Sequence, residues 1–375
     1  MKKKIIRATT VPISLNVFCN GMLKELSEKY EVVAVSSPGE DLDIIASREG
    51  VKTIAVPMER HISIFKDFMS LIKMIGVFRK EKPYMVHSMT PKAGLTCMVA
   101  GWLTGVPVRV HTFTGLVWPT ETGLKRKILM ATDRILCACA THIIPEGQGV
   151  LNDLRNGGIT KKPMNVLGYG NVKGVDLKSL DPARFSHIKK DESKFTFMFV
   201  GRMVGDKGVN ELVESFTILH DKYPEARLVL VGPSEAHLDP VKPITLNRIN
   251  ANPAIETVGP KFGDELLEEY MKADCHVLPS YREGFPNTPL ESGALGLPNI
   301  VTDINGAREI VVNEENGLVV PSKDAKALYD AMERMITDTA LREKMAKNAR
   351  PMIASRFEIG FVRKCLYDFY DEIMK

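Results

Sequence analysis

Short runs rich in β-branched and aromatic residues alternate with segments of helical length along the whole sequence, and this alternation limits the fold more than any other feature. Strands are predicted at residues 5–9, 31–36, 53–56, 84–88, 109–112, 142–145 and 165–167. Helices are predicted between them at 14–28, 40–49, 63–80, 91–104, 123–138 and 147–155. Strands that alternate with helices form a parallel sheet covered on both faces. The pattern lapses at 176–194, where Asp181-Pro182 and the charged run Lys189 to Glu192 read as a surface linker, and then starts again. The second series has strands at 195–200, 226–231, 255–258, 275–278, 299–302 and 317–319. Its helices lie at 208–222, 264–273, from 289 onward, and at 325–337. The expected fold class is therefore α/β, with two Rossmann-like domains, 1–180 and 191–356, facing each other across a cleft. An amphipathic helix within 357–375 is expected to pack back on the first domain.

A chain of 375 residues accommodates two such domains, and 26% charged with 44% hydrophobic residues excludes disorder and collagen-like structure. The basic start Lys2-Lys3-Lys4 is followed by Arg7 and Thr9 rather than by the apolar core of a secretory signal. The longest uncharged stretch, 93–108, holds Gly101, Gly105 and Pro107 and falls short of the ~20 apolar residues of a membrane helix. Six scattered cysteines show no C-x-x-C spacing, and Cys137-Ala-Cys139 has no second metal-ligating pair to accompany it, so the cysteines read as reduced thiols of a cytoplasmic protein. Lys and Arg outnumber Asp and Glu 28 to 16 over residues 1–190 and are outnumbered 22 to 30 over 191–375. This asymmetry suits either attraction between the halves or an anionic partner for the first of them.

Two motifs carry chemistry. At the end of a predicted strand the sequence reads Gly201-Arg202-Met203-Val204-Gly205-Asp206-Lys207-Gly208. The glycines let backbone approach a ligand closely, and Arg202 with Lys207 brings two positive charges to one anionic group. The run matches neither a Walker loop nor the G-x-G-x-x-G dinucleotide fingerprint. Farther on, Glu283 precedes Glu291 by eight positions, with a helix predicted to start between them: Thr288 as N-cap, Pro289 at the first helical position, and Thr288 and Glu291 forming a capping box. The free N–H groups of that helix start suit a phosphate.

Gly201-Arg202-Met203 with Asp206-Lys207-Gly208, and Glu283-Gly284-Phe285-Pro286-Asn287 spaced to Glu291, resemble the donor domain of the group 1 glycosyltransferases, which have the GT-B fold. Residues 302–309 and Asn316 to Pro321 are similar to that family as well. In the first half, Thr90 to Leu95, His111 to Gly115, Pro145-Glu146-Gly147, Gly168-Tyr169-Gly170 and Gly174-Val175-Asp176 resemble members that build bacterial capsule and O-antigen.

The resemblance implies that Arg202 and Lys207 contact the donor diphosphate, that Glu291 binds the ribose and that Glu283 binds the transferred sugar. Gly201, Gly284, Phe285, Pro286, Asn287 and Thr288 complete the donor site, and Glu283, Arg202 and Lys207 form its catalytic set. It further implies a retaining reaction with no cofactor and no bound metal, a nucleotide sugar (UDP expected, with a hexose or an N-acetylated hexosamine as the transferred sugar), a lipid-linked saccharide acceptor and no nucleic acid. Gly232 to Glu235 and Val258-Gly259-Pro260 are expected to line the nucleoside pocket.

Many members carry histidine where this sequence has Thr114 before Gly115. His111, Thr114 and Gly115 are the acceptor-side candidates, and no acceptor base is identified. A nucleotide-sugar 2-epimerase of the same fold and a non-catalytic sugar-nucleotide-binding subunit are the competing readings. A lipid-linked acceptor implies peripheral attachment to an anionic membrane surface. The segment 123–130, with Lys125-Arg126-Lys127 flanked by Leu124 and Ile128, is the predicted contact.

Overall fold

The computed structural model describes residues 2–59, 63–235 and 239–375, which form two compact units: residues up to Lys173 together with Gly360–Lys375, and Gly174–Ile359. Unit 1 is built from β1 (Lys4–Ala8), α1 (Pro12–Phe18), α2 (Met22–Lys29), β2 (Glu31–Ser36), α3 (Glu40–Glu49), β3 (Lys52–Ala55), α4 (Ile64–Glu81), β4 (Met85–Met89), α5 (Pro91–Thr104), β5 (Val108–Phe113), α6 (Gly123–Cys139), β6 (His142–Pro145) and α7 (Gln148–Asn156). Unit 2 has β7 (Phe195–Val200), α8 (Val209–Lys222), β8 (Ala226–Val231), α9 (Pro243–Ala251), β9 (Ile255–Gly259), α10 (Gly263–Lys272), β10 (Cys275–Leu278), α11 (Asn287–Ala294), β11 (Asn299–Thr302), α12 (Ala307–Ile310), β12 (Gly317–Val320), α13 (Ala325–Thr337) and α14 (Thr339–Phe357). The final helix, α15 (Ile359–Ile373), belongs almost wholly to unit 1.

Each unit holds one six-stranded, all-parallel sheet, in the order β3-β2-β1-β4-β5-β6 and β12-β11-β10-β7-β8-β9. Both orders reverse direction beside the first strand of the unit, between β1 and β4 and between β7 and β10. Loops leaving two such neighbours diverge to opposite faces and open a crevice at the carboxyl ends of the strands.

In unit 1, α4, α5 and α6 cover one face over a core that includes Met74, Phe78, Cys97 and Leu136. The opposite core takes in Leu15, Leu23 and Ile45 together with Leu366 and Tyr370 of α15. Arg7 of β1 lies inside that second core, fully buried. Its Nη1 donates to His87 Nδ1 at 2.6 Å and to the Tyr370 hydroxyl at 2.5 Å. Burial first, and the adjacent guanidinium second, hold the His87 pKa well below the ordinary histidine value. With Nδ1 accepting from Arg7, the His87 proton sits on Nε2, which donates to Thr112 Oγ1 at 2.7 Å.

Several expected elements differ. The helix expected over 14–28 is two helices, because Gly21 sits at φ +73° and breaks the first run. Residues 165–167 form no strand; only Met164 bridges to Ile143. The stretch read as a surface linker is built into unit 2, with Leu180 and Phe185 in its core beside Tyr270. Helices α9 and α14 were not anticipated. The buried stripe of α14, Met345, Ala349, Ile353 and Phe357, is masked in the sequence by Pro351 and by charges on the outer face.

Tyr370→Phe removes one acceptor from a buried cation and is expected to destabilise unit 1 by about 1.5–3 kcal/mol. Both tryptophans, Trp102 and Trp118, lie in this unit, so the denaturant midpoint of their fluorescence reads the loss.

Candidate active site

The crevice between β7 and β10 gathers the motif residues of unit 2. After β7 the chain turns at Gly201, and the backbone opposite is so close that a Cβ on Gly232, at φ +143°, would stand 1.9 Å from the Gly201 carbonyl oxygen. Residues Gly205–Lys207 make one tight turn, held by Asp239: its carboxylate accepts from the Asp206 N–H at 2.7 Å and its carbonyl from the Gly205 N–H at 3.0 Å. The turn ends at Gly208, at φ +70°, where a Cβ would overlap the Pro279 carbonyl oxygen at 2.0 Å. The Tyr281 N–H donates to the Asp206 carbonyl at 2.8 Å, so the loops leaving β7 and β10 are joined by backbone.

That contact delivers Lys207 to Glu283. Lys207 Nζ donates to Glu283 Oε1 at 2.5 Å, and both side chains are more than four-fifths shielded. Arg202 pairs with Glu235 at 3.1 Å and is more open. Arg282 stands 3.6 Å from Asp206. Three cations and their carboxylates thus lie at the carboxyl ends of the strands, and an anionic ligand entering there exchanges carboxylate partners for its own oxygens.

The loop from Gly284 to Pro286 leads into α11. Gly306, at φ +72°, lies beneath it, where a Cβ would meet the Gly284 carbonyl oxygen at 2.2 Å. Phe285 is buried against Phe357, with ring centroids 5.5 Å apart. α11 starts at Asn287 with Pro286 as its cap, not at Pro289 with Thr288 as the cap, and the capping box expected between Thr288 and Glu291 is not formed. Pro289, the third helical residue, is tolerated because the first turn of a helix has no intrahelical acceptor for its N–H groups. The Thr288 hydroxyl oxygen, the expected cap, is buried without a hydrogen-bond partner. Asn287 and Thr288 therefore offer N–H groups at a positive helix end.

α11 is fixed to the sheet from below. Ser292 Oγ donates to Asn299 Oδ1 at 2.8 Å, and His276 Nδ1, on β10, stands 2.7 Å from the same oxygen. Burial pushes the His276 pKa down to about 4, so the ring is neutral at physiological pH. Glu291 is half-buried on α11. It lies near enough to Tyr270 to help burial raise the pKa of that phenol.

Of the acceptor-side candidates, Thr114 and Gly115 follow β5 and are partly open. His111 is 1% exposed, bonded to Ser88 Oγ at 2.9 Å and packed edge-on against Phe113. Burial lowers its pKa to about 3. Its partners thus enclose the ring within unit 1. The sequence reading missed Asp239 and gave Glu235 and Gly306 no structural partner, because each acts on residues far from it in the chain. Among the described residues no group of three or more His, Cys, Asp and Glu stands where it could hold a metal ion, and all six cysteines are free.

Two Rossmann-like units in one chain, the second with a cationic crevice and a helix start at its switch point, define a GT-B glycosyltransferase. The model of glycosyl transferases group 1 matches residues 182–352, and that of the glycosyl transferase 4-like domain matches 15–170. The capsular polysaccharide biosynthesis glycosyltransferase CapM of Staphylococcus aureus is 32% identical over 379 residues, covering 100% of this chain and 98% of that protein. An Escherichia coli UDP-Gal:alpha-D-GlcNAc-diphosphoundecaprenol alpha-1,3-galactosyltransferase is 27% identical over 96% of this chain and 95% of its own. Anabaena HepE in complex with UDP shares the fold with a TM-score of 0.81 at 15% identity, covering 98% of this chain and 100% of that one. The chain belongs to the group 1 glycosyltransferase family.

Gly208→Ala is expected to lower the melting temperature of unit 2 more than Gly296→Ala. Both positions have positive φ, at about 1–2 kcal/mol of strain for a side chain, but Gly296 has no atom within 4 Å of the added methyl whereas Gly208 meets Pro279. Circular dichroism melts of the two variants side by side measure the difference.

Proposed function

We propose that this glycosyltransferase moves a sugar from a uridine diphosphate donor, bound by unit 2, to a lipid-diphosphate-linked acceptor during assembly of a cell-surface polysaccharide. The observation that carries this reading is the Lys207–Glu283 contact of 2.5 Å beside the start of α11. A phosphate-binding cation and a sugar-binding carboxylate at that distance suit a ligand in which sugar and diphosphate are directly bonded. Arg202 and Lys207 then hold the diphosphate, with Gly201 giving the backbone room to approach. The Gly284 to Pro286 loop shapes the floor, and Asn287 and Thr288 supply N–H groups. Glu283 orients the transferred sugar and Glu291 the ribose.

In the transfer, the bond between the anomeric carbon and the diphosphate oxygen breaks and its electron pair stays on the diphosphate. The acceptor hydroxyl oxygen forms the new bond on the same face of the sugar, and its proton passes to the departing phosphate oxygen. Arg202, Lys207 and the helix end stabilise the charge that develops there, so no metal or other cofactor takes part. The names of the Staphylococcus aureus and Escherichia coli relatives support a capsular or lipid-linked product, and the UDP bound to HepE supports uridine. Among the described residues no helix is long and apolar enough to cross a membrane. A lipid-linked acceptor therefore places the protein peripherally at the cytoplasmic face.

Lys207→Ala and Arg202→Ala are each expected to weaken UDP binding by about 1.5–3 kcal/mol, the worth of one charge-assisted hydrogen bond, and transfer by the wild type is expected to persist in excess chelator. Calorimetric titration with UDP and a transfer assay containing chelator read both. Unchanged affinity in the two variants, or rescue of a chelated enzyme by manganese, would refute the diphosphate assignment and the metal-independent reading respectively.

The two glutamates are expected to separate. Glu283→Gln lowers kcat and relaxes the choice of sugar, whereas Glu291→Gln mainly raises the donor KM. Steady-state kinetics over a panel of UDP sugars distinguishes them, and identical effects on KM alone would contradict the division.

A further inference from the structure

Helix α4 has an outer face unlike that of any ordinary solvated helix. Successive residues turn by roughly 100° around an α-helix, so Phe65, Phe68, Met69, Ile72 and Gly76 line up on one side. Phe65 is 75% exposed, Phe68 59%, Met69 38% and Ile72 46%, and Ile64 beside them is 86% exposed. The inward face of the same helix, Ser70, Met74 and Phe78, is buried, with Met74 and Phe78 in the core, so among the described residues the outer stripe has no cover. An apolar strip of this size has a function or a cover.

The charges on α4 identify the cover. Lys66, Lys73 and Lys80 recur every seven residues and form a row along one edge of the stripe, with Arg79 on the stripe itself; all four are exposed. Lys66 pairs with Glu59, while Lys73, Arg79 and Lys80 have no ion pair among the described residues. Both acids of the helix are turned away from this face: Asp67 is bonded to Lys92 of α5, and Glu81 is buried between Lys4 and Lys52. α5 packs between α4 and α6, and α6 adds exposed Leu124 and Ile128 to the same layer. A peptide groove would be concave. This is a convex helix with aromatic rings at its crest and a basic border, the chemistry of an anionic bilayer surface.

We propose that α4 is the principal membrane-docking element, its aromatic rings entering the headgroup region of an anionic leaflet while the lysine row meets the phosphates. The proposal deepens the reading of a membrane-linked acceptor, yet its test does not require that acceptor. The full chain is sedimented with vesicles of phosphatidylglycerol and phosphatidylcholine, and with phosphatidylcholine alone. Wild type is expected to bind the anionic vesicles only, and Phe65→Ser with Phe68→Ser to weaken that binding roughly tenfold or more, since two rings no longer leave water. Lys73→Gln with Lys80→Gln is expected to weaken it too and to flatten its salt dependence. Joint replacement of Lys125, Arg126 and Lys127 by Gln is expected to have a smaller effect.

All variants alter exposed positions, so UDP affinity and the melting temperature stay at wild-type values and separate loss of docking from loss of the donor site. The proposal is overturned if the phenylalanine variant binds like wild type, if only the α6 triple abolishes binding, or if the neutral vesicles bind equally. It is also overturned if the stripe instead mediates a dimer, seen as a concentration-dependent mass in gel filtration that the phenylalanine variant removes without any vesicle binding.

Discussion

The charged crevice of unit 2 depends on how closely two backbone turns approach at the switch point of the sheet. Only glycine at 208 lets the turn after β7 lie against the Pro279 carbonyl oxygen, and only glycine at 232 lets the neighbouring strand exit lie against Gly201. With those contacts made, the shielded Lys207 side chain reaches Glu283 at 2.5 Å. Charged side chains otherwise lose considerable rotamer entropy when a ligand fixes them. Here the fold has restricted Lys207 before any ligand arrives, and the carboxylate keeps the shielded ammonium paired in the meantime.

The support beneath the crevice is polar and neutral. His276 and Ser292 converge on Asn299 and hold α11 to the sheet, so the helix start is fixed by hydrogen bonds that do not compete electrostatically with the charges above. Anchoring Phe285 against Phe357 adds an apolar clamp at the other end of the loop. The charged groups are thereby concentrated at the strand ends, where an anion gains from them most.

Much of this was legible in the sequence because it is local. The βα alternation located most strands to within a residue or two: the runs at 31–36, 142–145, 195–200 and 226–231 agree with β2, β6, β7 and β8. The run from Gly201 to Gly208 and the pair Glu283 and Glu291 fall in one unit, on the segments that leave the carboxyl ends of β7 and β10. What escaped was set by tertiary contact. The start of α11 moved because Pro286 caps it, against the local preference for Thr288. The linker became core because Leu180 and Phe185 found an apolar surface that no window of sequence contains. His111 stands near the end of β5, yet Ser88, Gly94 and Phe113 close around it; alternation along β5 alone does not say which neighbours cover the ring.

The buried arginine of β1 bears on the order in which the protein is made. Arg7 leaves the ribosome well before one of its acceptors, Tyr370, with all of unit 2 synthesised between them. Until α15 arrives, a guanidinium and the apolar wall around Leu23 and Ile45 face solvent. The nascent first unit is therefore an unfinished fold with an exposed seam, at risk of capture by chaperones or proteases throughout elongation. Its last step of folding is a docking reaction governed by translation rate and not by local helix or strand formation.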